Sequence, residues 1–110
     1  MYNVEYEIIP RLDAQRKVTR FVALTLGTQL QAGEPDEDQP KDLDEGLFWG
    51  VPVLLSIPRR GVVGRVGEIL VDAQSGELRL EEDTLQSITS NAERLAERLV
   101  SPNAERFSHR

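Results

Sequence analysis

Closely spaced acidic side chains are the first candidates for chemistry in this sequence. The segment GEPDEDQPKDLDEG, residues 33–46, holds seven acidic residues and one lysine. Calcium prefers carboxylate oxygens as ligands, and four aspartates here could supply them: Asp36, Asp38, Asp42 and Asp44. However, Pro40 stands where an EF-hand needs a ligand, and the glycine and distal glutamate of that motif are out of register. We therefore predict no metal site and no cofactor.

Two other interpretations of the acidic segment stay open. Its carboxylates could bind a basic partner protein or mimic phosphate charge. The candidate contacts are Asp36, Glu37, Asp38, Asp42 and Asp44. Alternatively, the segment is a solvated loop that resists aggregation and protects an exposed edge of the neighbouring sheet.

Arginines near the middle of the chain are the candidates for phosphate binding. Arg59 and Arg60 lie at a predicted hairpin tip in IPRRGVVGRVG, and Arg65 follows nearby. Such a group could contact a nucleic-acid backbone. The glycine spacing is not the G-x-G-x-x-G fingerprint, and no P-loop sequence occurs. Exposed turn arginines that pair with nearby carboxylates are the simpler interpretation.

Few residues suit acid–base or nucleophilic catalysis. The chain has no cysteine, and its one histidine, His109, falls in a segment where we expect a frayed tail. This composition excludes Ser–His and Cys–His nucleophiles and a zinc site built from cysteine and histidine. Glu68 and Asp72 could form a carboxylate pair, but their spacing on a strand is more typical of surface groups. We predict no catalytic residues and no enzyme activity, with a carboxylate-dependent enzyme as the weaker alternative.

The elements that position these residues begin with a predicted β-hairpin over residues 1–26. YNVEYEII alternates apolar and polar residues with the period of a half-buried strand. VTRFVALTL is rich in β-branched residues and is predicted as the second strand. Residues 27–46 are predicted as the acidic loop, because they combine prolines and glycines with little apolar content.

Further strands are predicted over residues 47–80. Pro52 favours an edge position or a bulge near Gly50, since proline cannot donate to the ladder. Gly64 and Gly67 inside a strand indicate bulges or a close backbone approach. Trp49 is either a binding hot spot or, in a chain with few aromatics, a packing anchor.

An amphipathic helix is predicted over residues 83–100, with Asp83 as its N-cap and Gln86 completing a capping box. The apolar residues form a narrow seam with alternating three- and four-residue spacing: Leu85, Ile88, Ala92, Leu95 and Leu99. The seam either covers the sheet or pairs with a second copy of the chain, so Leu95 and Leu99 are candidate partner contacts. Residues 101–110 are predicted to be a flexible tail.

One stretch resembles a known kind of module. VVGRVGEILVDAQSGEL, residues 62–78, is similar to the strand–turn–strand of small β-barrel modules of the PRC type, in which an Asp/Gly turn closes a hairpin. The helix that follows at once departs from that pattern. The resemblance implies two strands and a turn, and we infer no function or site residues from it.

The net charge of −6 comes from the acidic segment, because the rest of the chain is nearly neutral. No signal peptide and no apolar run of about 20 residues is present, so we predict a soluble protein without a membrane partner. The absence of cysteine is typical of a cytoplasmic location.

Together these patterns predict a single α+β domain. About five mainly antiparallel strands form a curved sheet or partly open small barrel, followed by one C-terminal helix. The predicted function is a non-enzymatic interaction or assembly module that forms a homodimer and binds a protein partner, for example as an antitoxin-like or regulatory protein. The alternative is a nucleic-acid contact module that uses Arg59, Arg60 and Arg65, although the acidic net charge disfavours nucleic acid.

Overall fold

A long antiparallel hairpin is the centre of the fold. The computed structural model describes residues 7–100, and its elements in chain order are α1 (Arg11–Thr25), β1 (Leu30–Ala32), β2 (Lys41–Leu43), β3 (Gly46–Ile57), β4 (Gly61–Asp72), β5 (Leu78–Arg79) and α2 (Glu82–Val100). The five strands form one open, antiparallel sheet in the order β1-β3-β4-β5, with β2 also paired to β3. This confirms the predicted α+β class.

The predicted hairpin over residues 1–26 is wrong where it can be compared, because residues 11–25 form α1. Ala14, Val18 and Val22 recur every four residues and are fully buried, as one face of a helix requires. This packing outweighs the β preference of the branched side chains. Residues 1–6, which contain most of the first predicted strand, lie outside the described residues.

The predicted acidic loop over residues 27–46 needs a partial correction. It contains β1 and β2, which pair with different parts of β3 and leave a gap between them. Residues 33–40 connect the two strands across this gap. Gly33 N donates to the carbonyl of Pro52, which shows that the backbone of Pro52 faces the gap. The sheet therefore loses no ladder bond at Pro52. The predicted edge position is wrong, because β3 lies between β1 and β4, and the predicted bulge near Gly50 is not found, because the register shifts begin after Val53.

Both helices pack on one face of the sheet. Val53 and Gly67 are cross-strand partners and so project to the same face, where Val53 belongs to the core that includes Val18 of α1. Gly67 lies directly under Ile88 of α2. The opposite face carries ion pairs instead of a helix among the described residues.

The seam of α2 fits two bulges of β4. The register shifts leave Val66 and Val63 without cross-strand partners, each next to a glycine. The bulge at Val66 brings Gly64 and Gly67 to the same face, roughly 10 Å apart along the strand. The separation of Ile88 and Leu95 along the helix is also roughly 10 Å, and these side chains contact Gly67 and Gly64 respectively.

The start of α2 differs slightly from its prediction. The helix begins at Glu82, and Leu85 N donates to the carbonyl of Glu81. Asp83 is therefore in the first turn and is not the N-cap. Further along α2, Asn91 Nδ2 donates to the carbonyl of the bulged Val66 at 2.9 Å, which fixes the helix over the bulge.

Candidate functional site

The acidic segment is held against the body of the protein by Arg11. Arg11 Nε donates to the carbonyl of Pro35 at 3.0 Å, and its guanidinium also lies near the carboxylates of Glu34 and Asp38. The ring of Pro35 is buried. The connection over residues 33–40 is thus packed on the gap beside β3, where it covers an otherwise open strand edge.

A chain of alternating charges holds the other side of this segment. Arg65 Nη1 donates to Asp36 Oδ2 at 3.0 Å, and Nη2 of the same guanidinium lies 3.7 Å from Glu68 Oε2. Glu68 Oε2 in turn accepts from Lys41 Nζ at 3.2 Å. The absence of a side chain at Gly50 leaves room for the pair of Glu68 and Lys41, because a Cβ there would overlap the carboxylate of Glu68. The adjoining cavity of about 60 Å³ is too small for an organic ligand.

Three predicted partner contacts in the acidic segment remain exposed. Glu37, Asp42 and Asp44 face solvent, and within residues 7–100 no basic side chain pairs with them. Asp36 and Asp38 already have arginine partners in the same chain. Across residues 7–100, no group of three or more carboxylate, histidine or cysteine side chains is arranged to hold a metal ion.

The structure separates the three arginines that were predicted to bind phosphate. Arg59 and Arg60 are exposed in the turn between β3 and β4, where Arg59 has a positive φ of 72°. Arg65 lies along β4 and is paired with Asp36 and Glu68. Only two of the three cations are therefore exposed without a carboxylate partner in the described chain.

Of the two leucines predicted as partner contacts, Leu95 lies on the face of α2 that meets the sheet. Leu95 packs against the core, and a Cβ at Gly64 would come within 2.6 Å of its Cδ2. Leu99 is half-buried one turn further on. The helix seam thus covers the sheet of its own chain, which was one of the two alternatives.

An open apolar groove lies between α1 and β5, next to exposed hydrophobic side chains. Leu24 is 80% exposed and Leu80 is 44% exposed, and half-buried Phe21 and Leu78 lie beside them. The groove encloses about 580 Å³. Its rim contains Lys17, Arg20 and Glu77, so two of its three charged side chains are basic.

Sequence reasoning missed this groove because it treated residues 18–26 as a strand. Read with a helical period, Phe21 and Leu24 form a second apolar stripe beside the buried one at Val18 and Val22. A helix with an additional, uncovered apolar stripe indicates a second contact surface.

Arg79 forms a separate polar cluster on the face of the sheet without helices. Its guanidinium pairs with Glu45 and Glu81 and lies 5.5 Å from the centroid of the Phe48 ring. The hydrogen bond from Arg79 lowers the pKa of Glu45 below its ordinary value, and the same bond raises the pKa of Arg79.

We expect Arg79→Gln to raise the pKa of Glu45 back to its ordinary value. Because folding lowers this pKa, the pair stabilises the fold above the unfolded-state pKa, and the contribution is lost as pH falls through the folded-state pKa. An NMR titration of the Glu45 carboxyl carbon measures the shift. Arg59→Gln, which removes an arginine from the exposed turn between β3 and β4, is the matched control and should leave the pKa of Glu45 unchanged. Equal pKa values in wild type and Arg79→Gln would contradict the assigned pair.

No helix within residues 7–100 has the length and apolar character needed to cross a membrane. Comparisons of the chain with protein-family models, curated proteins and solved structures found no match.

Proposed function

We propose that this protein is a non-enzymatic interaction module that binds another protein through the groove between α1 and β5. The observation that carries the proposal is the exposure of Leu24, at 80%, together with Leu80 across the groove. Single exposed leucines are ordinary on protein surfaces, whereas a contiguous apolar patch with a charged rim is typical of interaction sites.

Burial of these side chains would supply substantial binding free energy. Removal of apolar surface from water contributes roughly 25 cal/mol per Å², so covering Leu24 contributes about 2 kcal/mol, and covering Leu80, which is 44% exposed, contributes about 1 kcal/mol. Leu24 and Leu80 border the groove, and Phe21 and Leu78 line it beside them. A central apolar cluster with a polar rim is the usual anatomy of a protein interface.

The partner types inferred from the sequence remain proposals with different support. A homodimer through the α2 seam has little support, because Leu95 packs within its own chain, so a sheet edge is the better candidate for self-association. A basic partner for the acidic segment is supported only by the exposure of Glu37, Asp42 and Asp44. A cytoplasmic location and an antitoxin-like or regulatory role stay predictions.

We expect Leu24→Asp to abolish partner binding and leave the fold intact. A charge at the centre of an apolar contact is strongly unfavourable on binding, whereas a side chain this exposed changes the free energy of unfolding by only about 0.5 kcal/mol. The measurement is affinity capture from the native host with wild-type and variant bait at equal loading, followed by titration of the recovered partner. We predict at least a roughly tenfold loss of affinity, equivalent to about 1.4 kcal/mol.

Val62→Asp is the matched control for this experiment. Val62 is 52% exposed near the turn between β3 and β4, away from the groove, and the substitution adds the same charge. This control should retain the partner. A partner that binds Leu24→Asp as well as wild type, or that is lost equally with Val62→Asp, would contradict the proposed function.

A further inference from the structure

The backbone of β5 is available for pairing on the side next to the groove. Within residues 7–100, β5 is the last strand of the sheet and pairs only with β4. Asp72 N donates to the carbonyl of Glu77, so this carbonyl points towards β4 and Glu77 occupies a hydrogen-bonded position of the ladder. Because such positions alternate along an antiparallel ladder, the N–H and C=O of Leu78 point away from β4, towards the open edge.

The basic side chains next to this edge favour a negatively charged ligand. Lys17 and Arg20 are exposed on the α1 side of the groove, and neither pairs with a carboxylate among the described residues. The stem of Lys17 lies over Gly76, which has a positive φ of 80° and leaves room for it. The rim is basic on balance, because Lys17 and Arg20 outnumber Glu77. A second copy that met the groove symmetrically would bring the same rim, which favours an acidic occupant of another kind.

We propose that the groove binds an extended acidic segment of a partner protein, which adds as a further strand to β5. This inference rests on the proposed function and specifies its ligand. Backbone bonds to Leu78 provide affinity, and alternate side chains of the incoming segment enter the apolar groove at Leu24 and Leu80. Its intervening carboxylates lie near Lys17 and Arg20.

Synthetic peptides test this binding mode directly on the full chain. The probe is an acidic peptide of about eight residues in which glutamate and valine alternate. The comparison peptide is basic and has lysine in place of glutamate. We expect the acidic peptide to shift the backbone amide NMR signals of Leu24, Leu78 and Leu80 in a saturable way. The basic peptide should bind at least about tenfold more weakly, because it meets Lys17 and Arg20 with like charge. Absence of shifts at these residues, or equal binding of the two peptides, would overturn the proposal.

Backbone methylation separates strand addition from simple apolar contact. An acidic peptide that is N-methylated at alternate residues keeps its side chains but cannot form the ladder on one edge. We expect one of the two methylation registers to lose at least about tenfold in affinity and the other to bind nearly unchanged. Equal affinity of both registers and the unmodified peptide would overturn strand addition.

Charge reversal on the protein supplies the matched comparison. Lys17→Glu combined with Arg20→Glu should weaken the acidic peptide by at least about tenfold and strengthen the basic one. Arg59→Glu combined with Arg60→Glu changes the net charge equally at the exposed turn and should leave both affinities nearly unchanged. Equal effects of the two double variants would show a general charge effect and overturn the assigned rim.

Other occupants give different results. If a second copy filled the groove, sedimentation would show self-association that Leu24→Asp removes. If residues 1–6 of the chain filled it, their deletion would increase peptide affinity. Either result overturns the proposal of a partner segment. The proposed function is tested separately, because Leu24→Asp can abolish partner capture even when the peptides do not bind.

Discussion

Trp49→Ala is expected to lower the free energy of unfolding by about 3–5 kcal/mol, the usual cost of removing a buried tryptophan. Trp49 lies on β3, is only 4% exposed, and belongs to the core formed with Val18 and Val22 of α1. Its indole Nε1 donates to the carbonyl of Ile9 at 3.0 Å, which fixes the segment before α1. The substitution therefore removes both packing and a hydrogen bond that joins two parts of the chain.

Trp49→Phe separates these two contributions. Phenylalanine keeps much of the apolar volume but leaves the Ile9 carbonyl without its donor, which costs about 1–3 kcal/mol. Chemical denaturation followed by circular dichroism is the measurement, because Trp49 is the only tryptophan and its replacement removes the fluorescence signal. If Trp49→Ala cost less than about 1 kcal/mol, the indole would not be a packing anchor, and the alternative of a binding hot spot would be favoured.

Gly67→Ala is expected to destabilise the fold by about 1–3 kcal/mol, the usual cost of overpacking a core. A Cβ at Gly67 would overlap Cγ1 of Ile88, whose branched side chain is fully buried in the core. The chain must then either lift α2 from the sheet or strain the bulge at Val66. Thermal or chemical denaturation measures the loss.

Gly64→Ala is the matched control for this prediction. The atom that it would meet is Leu95 Cδ2, at the end of a half-buried side chain that can change rotamer, so we expect a smaller loss than at Gly67. In an Ile88→Ala background, Gly67→Ala should become neutral or stabilising, because its methyl group then occupies vacated space. A cost at Gly67 that is unchanged by Ile88→Ala would contradict the assigned contact.

The elements with strong local signals were predictable from the sequence. The apolar residues of α2, from Leu85 to Leu99, follow a helical period over about four turns. The turn between β4 and β5 has Asp72 and Gly76 where the structure uses them. Asp72 Oδ1 accepts from the backbone N–H groups of Gln74 and Ser75, and Gly76 has a positive φ. Gly64 and Gly67 inside β4 also indicated their role, since both mark a bulge and a close approach of the helix.

The predictions for the N-terminal half of the chain were wrong for physical reasons. Val18, Thr19 and Val22 favour a strand locally, but burial against the sheet determines the conformation of α1. The short strands β1 and β2 have only three residues each, too few for a periodic pattern to be recognised. β1 forms by pairing with the distant second half of β3, whereas β2 pairs with the start of β3 directly after it in sequence.

The groove could not be predicted for a related reason. Its two walls come from α1, which was assigned to the wrong class, and from β5, which is two residues long. Neither Leu24 nor Leu80 stands out in the sequence, because exposure is a property of the assembled fold. The acidic segment drew attention by its composition, yet much of its charge is paired with Arg11 and Arg65 in the same chain.

Hydrogen exchange of the chain with and without its captured partner tests most directly whether the groove is the interaction surface. Our account predicts that the partner slows exchange in residues 17–25 and 76–80, because the incoming strand bonds to Leu78 and covers α1 beside it. Exchange in residues 33–40 and at the turn containing Arg59 and Arg60 should not change. Slower exchange in the acidic segment or at that turn, with none along β5, would contradict the account.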